Sequence, residues 1–182
     1  MPEMEDKNTR IYLIGFMGCG KSYAGRHLAE AIGWSFLDLD RQIEQDAGRP
    51  ISGIFAESGE SAFRTMERSA LHRTGELART IISCGGGLPC FFDNMDWMNS
   101  RGITVFLNAS VELLTERLSK DKGKRPLLKN LSGEELVAFI EGRLQERLPF
   151  YSQAGLRLDL NTGEETAWMQ IQKALPVVMS KK

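Results

Sequence analysis

Residues 15–22 read GFMGCGKS, the spacing G-x-x-x-x-G-K-S/T in which a glycine-rich turn, a lysine and a hydroxyl are set to hold a triphosphate. The residue types dictate the chemistry: glycines let successive backbone N–H groups converge on phosphate oxygens, and lysine adds a cation. A strand must feed such a loop and a helix must leave it, so that the phosphates sit at a positive helix end. The apolar run Ile11, Tyr12, Leu13, Ile14 precedes it, and Ala24, Leu28, Ala29 and Ile32 follow at helical spacing, with Gly33 as the expected C-terminal cap. The alternative is a glycine turn in an ordinary βα unit.

Four further groups could complete a phosphoryl-transfer site. FLDLD at 36–40 ends an expected strand in two carboxylates; if strand geometry persists, Asp38 and Asp40 project to the same side. One would address a metal and the other an acceptor, since Mg2+ keeps several waters and needs only Ser22 and one aspartate, partly through water. The competing reading makes Asp40 the N-cap of the next helix. CGGGLP at 84–89 suits either a backbone passing very close to a ligand or a tight strand-to-helix turn. Arg64 in AFRTMER and Arg147 in QERLPFY suit bidentate carboxylate recognition, or else lie on solvated helix faces. KDKGKRPLLKN at 120–130 is a solvated loop on charge alone. Beside a P-loop it reads as a lid, with Arg125 swinging in to neutralise the transferring phosphoryl group.

These groups need a scaffold, and the chain alternates short β-rich runs with helical stretches. Strands are expected at 10–14, 35–38, 80–84, 103–107 and 156–160, and helices at 21–32, 40–47, 60–78, 92–100, 110–119, 132–149 and 164–175. The predicted class is α/β, a three-layer α/β/α sandwich on a five-stranded parallel sheet. A single domain is expected from 182 residues, with a core over 10–119 and 150–180, a substrate-binding subdomain near 39–65 and a lid near 119–131.

The formal net charge of −1 provides no global field for nucleic acid or an anionic membrane, and no stretch of 18 apolar residues or signal-like segment appears. A cytoplasmic monomer is expected. Cys19, Cys84 and Cys90 have no zinc-like spacing and are expected as free thiols without a catalytic role. His27, His72, Trp34, Trp97 and Trp168 are expected as surface or packing residues.

Taken together, the motifs resemble the shikimate kinases of aromatic amino-acid (chorismate) biosynthesis across residues 11–161. The family order of P-loop, FxDxD, IF followed by GExxFR, GGG, RPLL and RxPxY appears here at 15–22, 36–40, 54–55 with 59–64, 85–87, 125–128 and 147–151. The resemblance implies a P-loop kinase fold with a mobile lid, and ATP-dependent phosphorylation of the shikimate 3-hydroxyl with Mg2+.

Matched residue by residue, it implies nucleotide contacts from Gly18, Cys19, Gly20, Lys21, Ser22, Tyr23, Arg117 and Arg125, with Arg117 packing on adenine. It implies metal contacts from Ser22 and, through water, Asp38, with Ser83 behind them. It implies an acceptor site of Asp40, Phe55, Phe63, Arg64, Gly85, Gly86, Gly87 and Arg147, in which Lys21, Asp40 and Arg125 serve catalysis. Tyr23 stands where the family commonly has threonine. A kinase for another small hydroxy acid such as gluconate has no reason to pair FLDLD, Arg64, GGG and Arg147 around a carboxylated ring. A nonenzymatic nucleotide-binding relative should lack the lysine, an aspartate or the lid arginine.

Overall fold

Strand β1 (Arg10–Ile14) is buried along its whole length, which a strand reading RIYLI tolerates only when both faces of its sheet are covered. The computed structural model describes residues 9–120, 128, 130–160 and 166–179. β1 is flanked by β3 (Thr80–Ser83) and β4 (Ile103–Asn108), and the sheet closes with β2 (Ser35–Asp38) and β5 (Leu156–Asp159). The order is β2-β3-β1-β4-β5, and every pairing is parallel. In a parallel sheet of this kind, ligands bind beyond the carboxyl ends of the strands.

The period of two along β1 sorts the core into two layers. Ile11 and Leu13 face a cluster built with α1 (Lys21–Ile32), α5 (Val111–Lys120), α6 (Gly133–Tyr151) and α7 (Ala167–Met179). Tyr12 and Ile14 face the other, built with α2 (Leu39–Ala47), α3 (Ile51–Arg73) and α4 (Asn94–Arg101). The three-layer α/β/α expectation therefore holds. Helix α1 comes so close to the sheet that a Cβ on Gly25 would lie 2.5 Å from the Phe36 ring and 3.1 Å from Leu13.

Several boundaries differ from expectation. The helix expected at 60–78 begins at Ile51, breaks at Gly59 (φ 77°, ψ 174°) and ends at Arg73, followed by a 3-10 turn at Thr74–Glu76. No element is expected over 51–59, where Pro50, Gly53 and Gly59 are helix-breaking residues, yet Pro50 occupies the N-cap, where its missing N–H costs nothing. The helix expected at 92–100 starts at Asn94, behind a 3-10 turn at Leu88–Cys90. Helix α6 runs past the expected stop at Pro149 to Tyr151 and starts on a capping box, with Ser132 accepting from the Glu135 N–H. Gly33 caps α1 as expected, with φ 69° and its N–H on the Ala29 and Glu30 carbonyls. The expected lid lies largely outside the described residues, and Arg125 with it. Among the described residues no helix is long and apolar enough to cross a membrane.

Candidate active site

The glycine-rich loop joins β1 to α1, and its glycines are there for space and for backbone angle. A Cβ on Gly15 (φ 140°) would lie 2.7 Å from the Leu107 carbonyl oxygen, and Gly20 (φ 101°) stands as the left-handed N-cap of α1. Lys21 opens the helix with its ammonium folded back on the loop, donating to the carbonyls of Gly15 at 2.7 Å and Phe16 at 2.9 Å. Arg117, from α5, donates to the carbonyls of Cys19 at 3.0 Å and Gly18 at 3.3 Å, which places it on the outer side of the same loop. Cys19 is buried, whereas Tyr23 is 62% exposed, its ring edge-on to His27 at 4.3 Å.

The carboxyl ends of β2 and β3 meet the start of α1. Ser22 Oγ donates to Asp38 Oδ2 at 2.6 Å and lies 3.3 Å from Ser83 Oγ. The strand period expected through FLDLD does not persist: β2 stops at Asp38, which itself caps α2 by accepting from the Arg41 N–H. Asp40 is therefore neither a strand residue nor the cap; it sits in the first turn of α2. The two carboxylates still share a field. Burial pushes the Asp40 carboxyl above the usual range, the Asp38 charge pushes the same way, and Lys21 pulls back.

The triple glycine turn is the floor on which the remaining groups converge. A Cβ on Gly85 would lie 2.6 Å from Glu67 Oε1 and 2.7 Å from Asp40 Oδ1; one on Gly86, 3.2 Å from Arg147 Nη1; one on Gly87, 2.8 Å from Arg64 Nη1. CGGGLP is the turn that leads out of β3 into the 3-10 turn, with the Leu88 N–H on the Gly85 carbonyl at 3.1 Å, and the side chains that press on its glycines are the protein's own. The solvated-face reading of Arg64 falls, since its side chain is 12% exposed and bound by Glu67 at 2.5 Å and Glu60 at 2.9 Å. Arg147 descends from α6 over the Phe16 ring, 5.4 Å from its centroid, with Nη1 buried and without a hydrogen-bond partner among the described residues. An unpartnered buried guanidinium nitrogen is costly and marks a place for an incoming acceptor oxygen. Phe63 is buried, and Phe55, 36% exposed, packs on it at 4.7 Å.

Three participants carried no expected role. Glu67 is 1% exposed, and burial pushes its carboxyl up to about 7 against the pull of Arg64. Its spacing of three from Arg64 on a helix was the available signal. Phe91 lies under the Arg64 guanidinium, 4.1 Å from ring centroid to Cζ, and nothing local in the sequence signals it. Tyr151 donates its hydroxyl to the Gly86 carbonyl at 2.5 Å, tying the end of α6 to the glycine turn. Cys19, Cys84 and Cys90 are free thiols, and burial pushes Cys84 and Cys90 away from the reactive thiolate.

A family model for shikimate kinase matches residues 17–176. The shikimate kinase of Parabacteroides distasonis is 51% identical over 150 residues, covering 82% of this chain and 87% of that protein. The crystal structure of shikimate kinase from Bacteroides thetaiotaomicron superposes with a TM-score of 0.84 at 39% identity, over 95% of this chain and 97% of that one. Shikimate kinase from Acinetobacter baumannii, solved in complex with shikimate, gives 0.81 at 36% identity, over 96% and 94%. A gluconokinase from Sinorhizobium meliloti, at 16% identity and a TM-score of 0.54, shares the fold alone. With the family match spanning most of its length and a relative sharing half of its aligned residues, the chain belongs to the shikimate kinase family.

Proposed function

We propose that this chain transfers the γ-phosphoryl group of ATP to the 3-hydroxyl of shikimate, giving shikimate 3-phosphate and ADP in aromatic amino-acid biosynthesis, as a cytoplasmic monomer. The observation that carries the acceptor half is the convergence of Arg64 and Arg147 on Gly86 and Gly87, beside Asp40 over Gly85. Two guanidiniums facing a side-chain-free turn suit a small carboxylate, and a carboxyl group one glycine away suits a hydroxyl on the same ring.

On the donor side, the backbone of Gly18, Cys19 and Gly20 cradles phosphate, and Lys21 exchanges its carbonyl partners for phosphate oxygens. Tyr23 and Arg117 flank the nucleotide. Ser22 and Asp38 are hard oxygen donors, and among the described residues no cluster of three or more His, Cys, Asp or Glu offers a denser cage. That sparse set fits Mg2+, which takes few protein oxygens and keeps its waters. Ser22 would hold it directly and Asp38 through water, and when bound it neutralises phosphate charge.

Asp40 accepts the hydroxyl proton late, because a loose phosphoryl-transfer transition state demands positioning before proton abstraction. Burial, reinforced by the Asp38 charge, raises its carboxyl above the ordinary carboxylate range, which makes it a stronger base than an exposed aspartate. Phe55 and Phe63 wall the acceptor, residues 39–65 form its subdomain, and residues 119–131 form a lid that carries Arg125 to the phosphates. An ADP-release assay with shikimate, with gluconate and without acceptor tests the proposal. Turnover with shikimate alone is expected; acceptor-independent turnover, or none in folded protein, overturns it.

A further inference from the structure

Three of the five in-plane N–H donors of Arg64 are already engaged, which leaves one on Nη1 and one on Nη2. Nη1 donates to Glu67 at 2.5 Å, while Nε and Nη2 donate to Glu60 at 3.2 and 2.9 Å. Those bonds fix the direction of the guanidinium edge but leave its plane free to tilt about them. The tilt is set by rings: Phe91 lies 4.1 Å from Cζ and Phe63 5.3 Å. Arginine stacks readily on aromatic faces, and the attraction grows where water is excluded.

The turn that delivers Phe91 is held by the same helix. Arg68 lies one turn beyond Arg64 on α3; its guanidinium sits 5.0 Å from the Phe92 ring and pairs with Asp93 at 2.7 Å. Two arginines one turn apart thus grip two consecutive phenylalanines. Consecutive rings can be gripped from one helix because Phe92 takes a left-handed backbone, φ 54°, an uncommon state for a bulky residue. Such outliers persist where the surroundings over-determine them, often at ligand clamps. Cys90 N–H to the Gly87 carbonyl at 2.9 Å, and buried Asn94 donating to the Leu88 carbonyl at 2.9 Å, tie the turn to the end of the triple glycine.

We propose that Phe91 is a positioning residue for the acceptor: its ring, held by the Arg68–Phe92 grip, fixes the plane in which Arg64 presents its nitrogens to the substrate carboxylate. This rests on the reading of Arg64 as a carboxylate-binding residue. Phe91 itself touches no reacting atom, so its loss acts on acceptor capture rather than on the chemical step.

Steady-state kinetics on the full chain test it, with ATP and shikimate varied separately and the thermal midpoint measured for every variant. Phe91→Leu is expected to raise the shikimate KM roughly five- to tenfold, with kcat and the ATP KM within about twofold. Phe91→Tyr, which keeps the ring, is expected to restore the shikimate KM. Phe92→Val, whose branched side chain resists a positive φ, should reproduce the selective loss with the Phe91 ring intact. In an Arg64→Ala background, Phe91→Leu should add nothing. An unchanged shikimate KM in Phe91→Leu, or an undiminished effect of Phe91→Leu without Arg64, overturns the proposal. So does an equal loss in Phe91→Tyr with a lowered midpoint. If Arg64→Ala raises the shikimate KM while Phe91→Leu is silent, the role of Phe91 alone fails; if Arg64→Ala itself is silent, the acceptor reading fails with it.

Discussion

Arg64 and Glu67 form an ion pair within one turn of α3, Nη1 to Oε2 at 2.5 Å, in which the carboxylate is almost completely removed from water. Desolvation outweighs the attraction and lifts Glu67 to about 7. A carboxyl raised in the folded state adds stability below its unfolded value of 4.5, and that contribution is lost as pH climbs through about 7. The unfolding free energy should therefore fall between pH 5 and pH 8, with Glu67 contributing a slope of at most about 1.4 kcal/mol per pH unit. Asp40, also raised, acts in the same direction. Glu67→Gln should flatten the profile, and chemical denaturation of both proteins at four pH values reads the difference. Parallel profiles would refute the assignment.

Asp40→Asn should keep ATP affinity and lower kcat by about a hundredfold or more, the usual contribution of a positioned general base. Isothermal titration with ATP beside the ADP-release assay separates the two effects. Unaltered turnover would remove Asp40 from the acceptor side.

Arg147→Ala should weaken shikimate binding by about 2 to 5 kcal/mol, the cost of losing one partner of a buried charged contact. Its Nη1 has no hydrogen-bond partner among the described residues, so the loss of affinity is expected to come chiefly from that nitrogen, while loss of its contacts with Phe16 and Tyr151 lowers folding stability as well. A change in shikimate affinity below about threefold would argue against the assignment.

Gly25→Ala should destabilise the fold by about 1 to 3 kcal/mol, because overpacking against Phe36 and Leu13 outweighs the better helix propensity of alanine. Thermal unfolding checks the sign, and a stabilised variant would mean that α1 lifts freely from the sheet.

Much of this molecule is legible from local pattern. The five strands, the P-loop helix with its Gly33 cap and the Ser132 capping box are written in runs of a few residues, where period and cap chemistry suffice. The first half of α3 was not, because Pro50, Gly53 and Gly59 are helix-breaking signals that here serve a start and a kink. FLDLD was half legible: both aspartates face the site, but a helix rather than a strand brings Asp40 there, since Asp38 takes the capping bond. Glu67 left a spacing signal that only its burial turns into a role, and Phe91 left none, because its contact with Arg64 depends on how an irregular turn folds back on a helix.

The bond from Ser22 to Asp38 has a further consequence. Asp38 holds the hydroxyl at the nucleotide end with one oxygen and the N-terminus of α2 with the other, and α2 carries Asp40 two residues on. Anything that recruits Ser22 takes a hydrogen bond from the residue that seats that helix. One carboxylate thus joins the start of α1 to the start of α2, so the helix that leaves the glycine-rich loop and the helix that carries Asp40 share a single anchor.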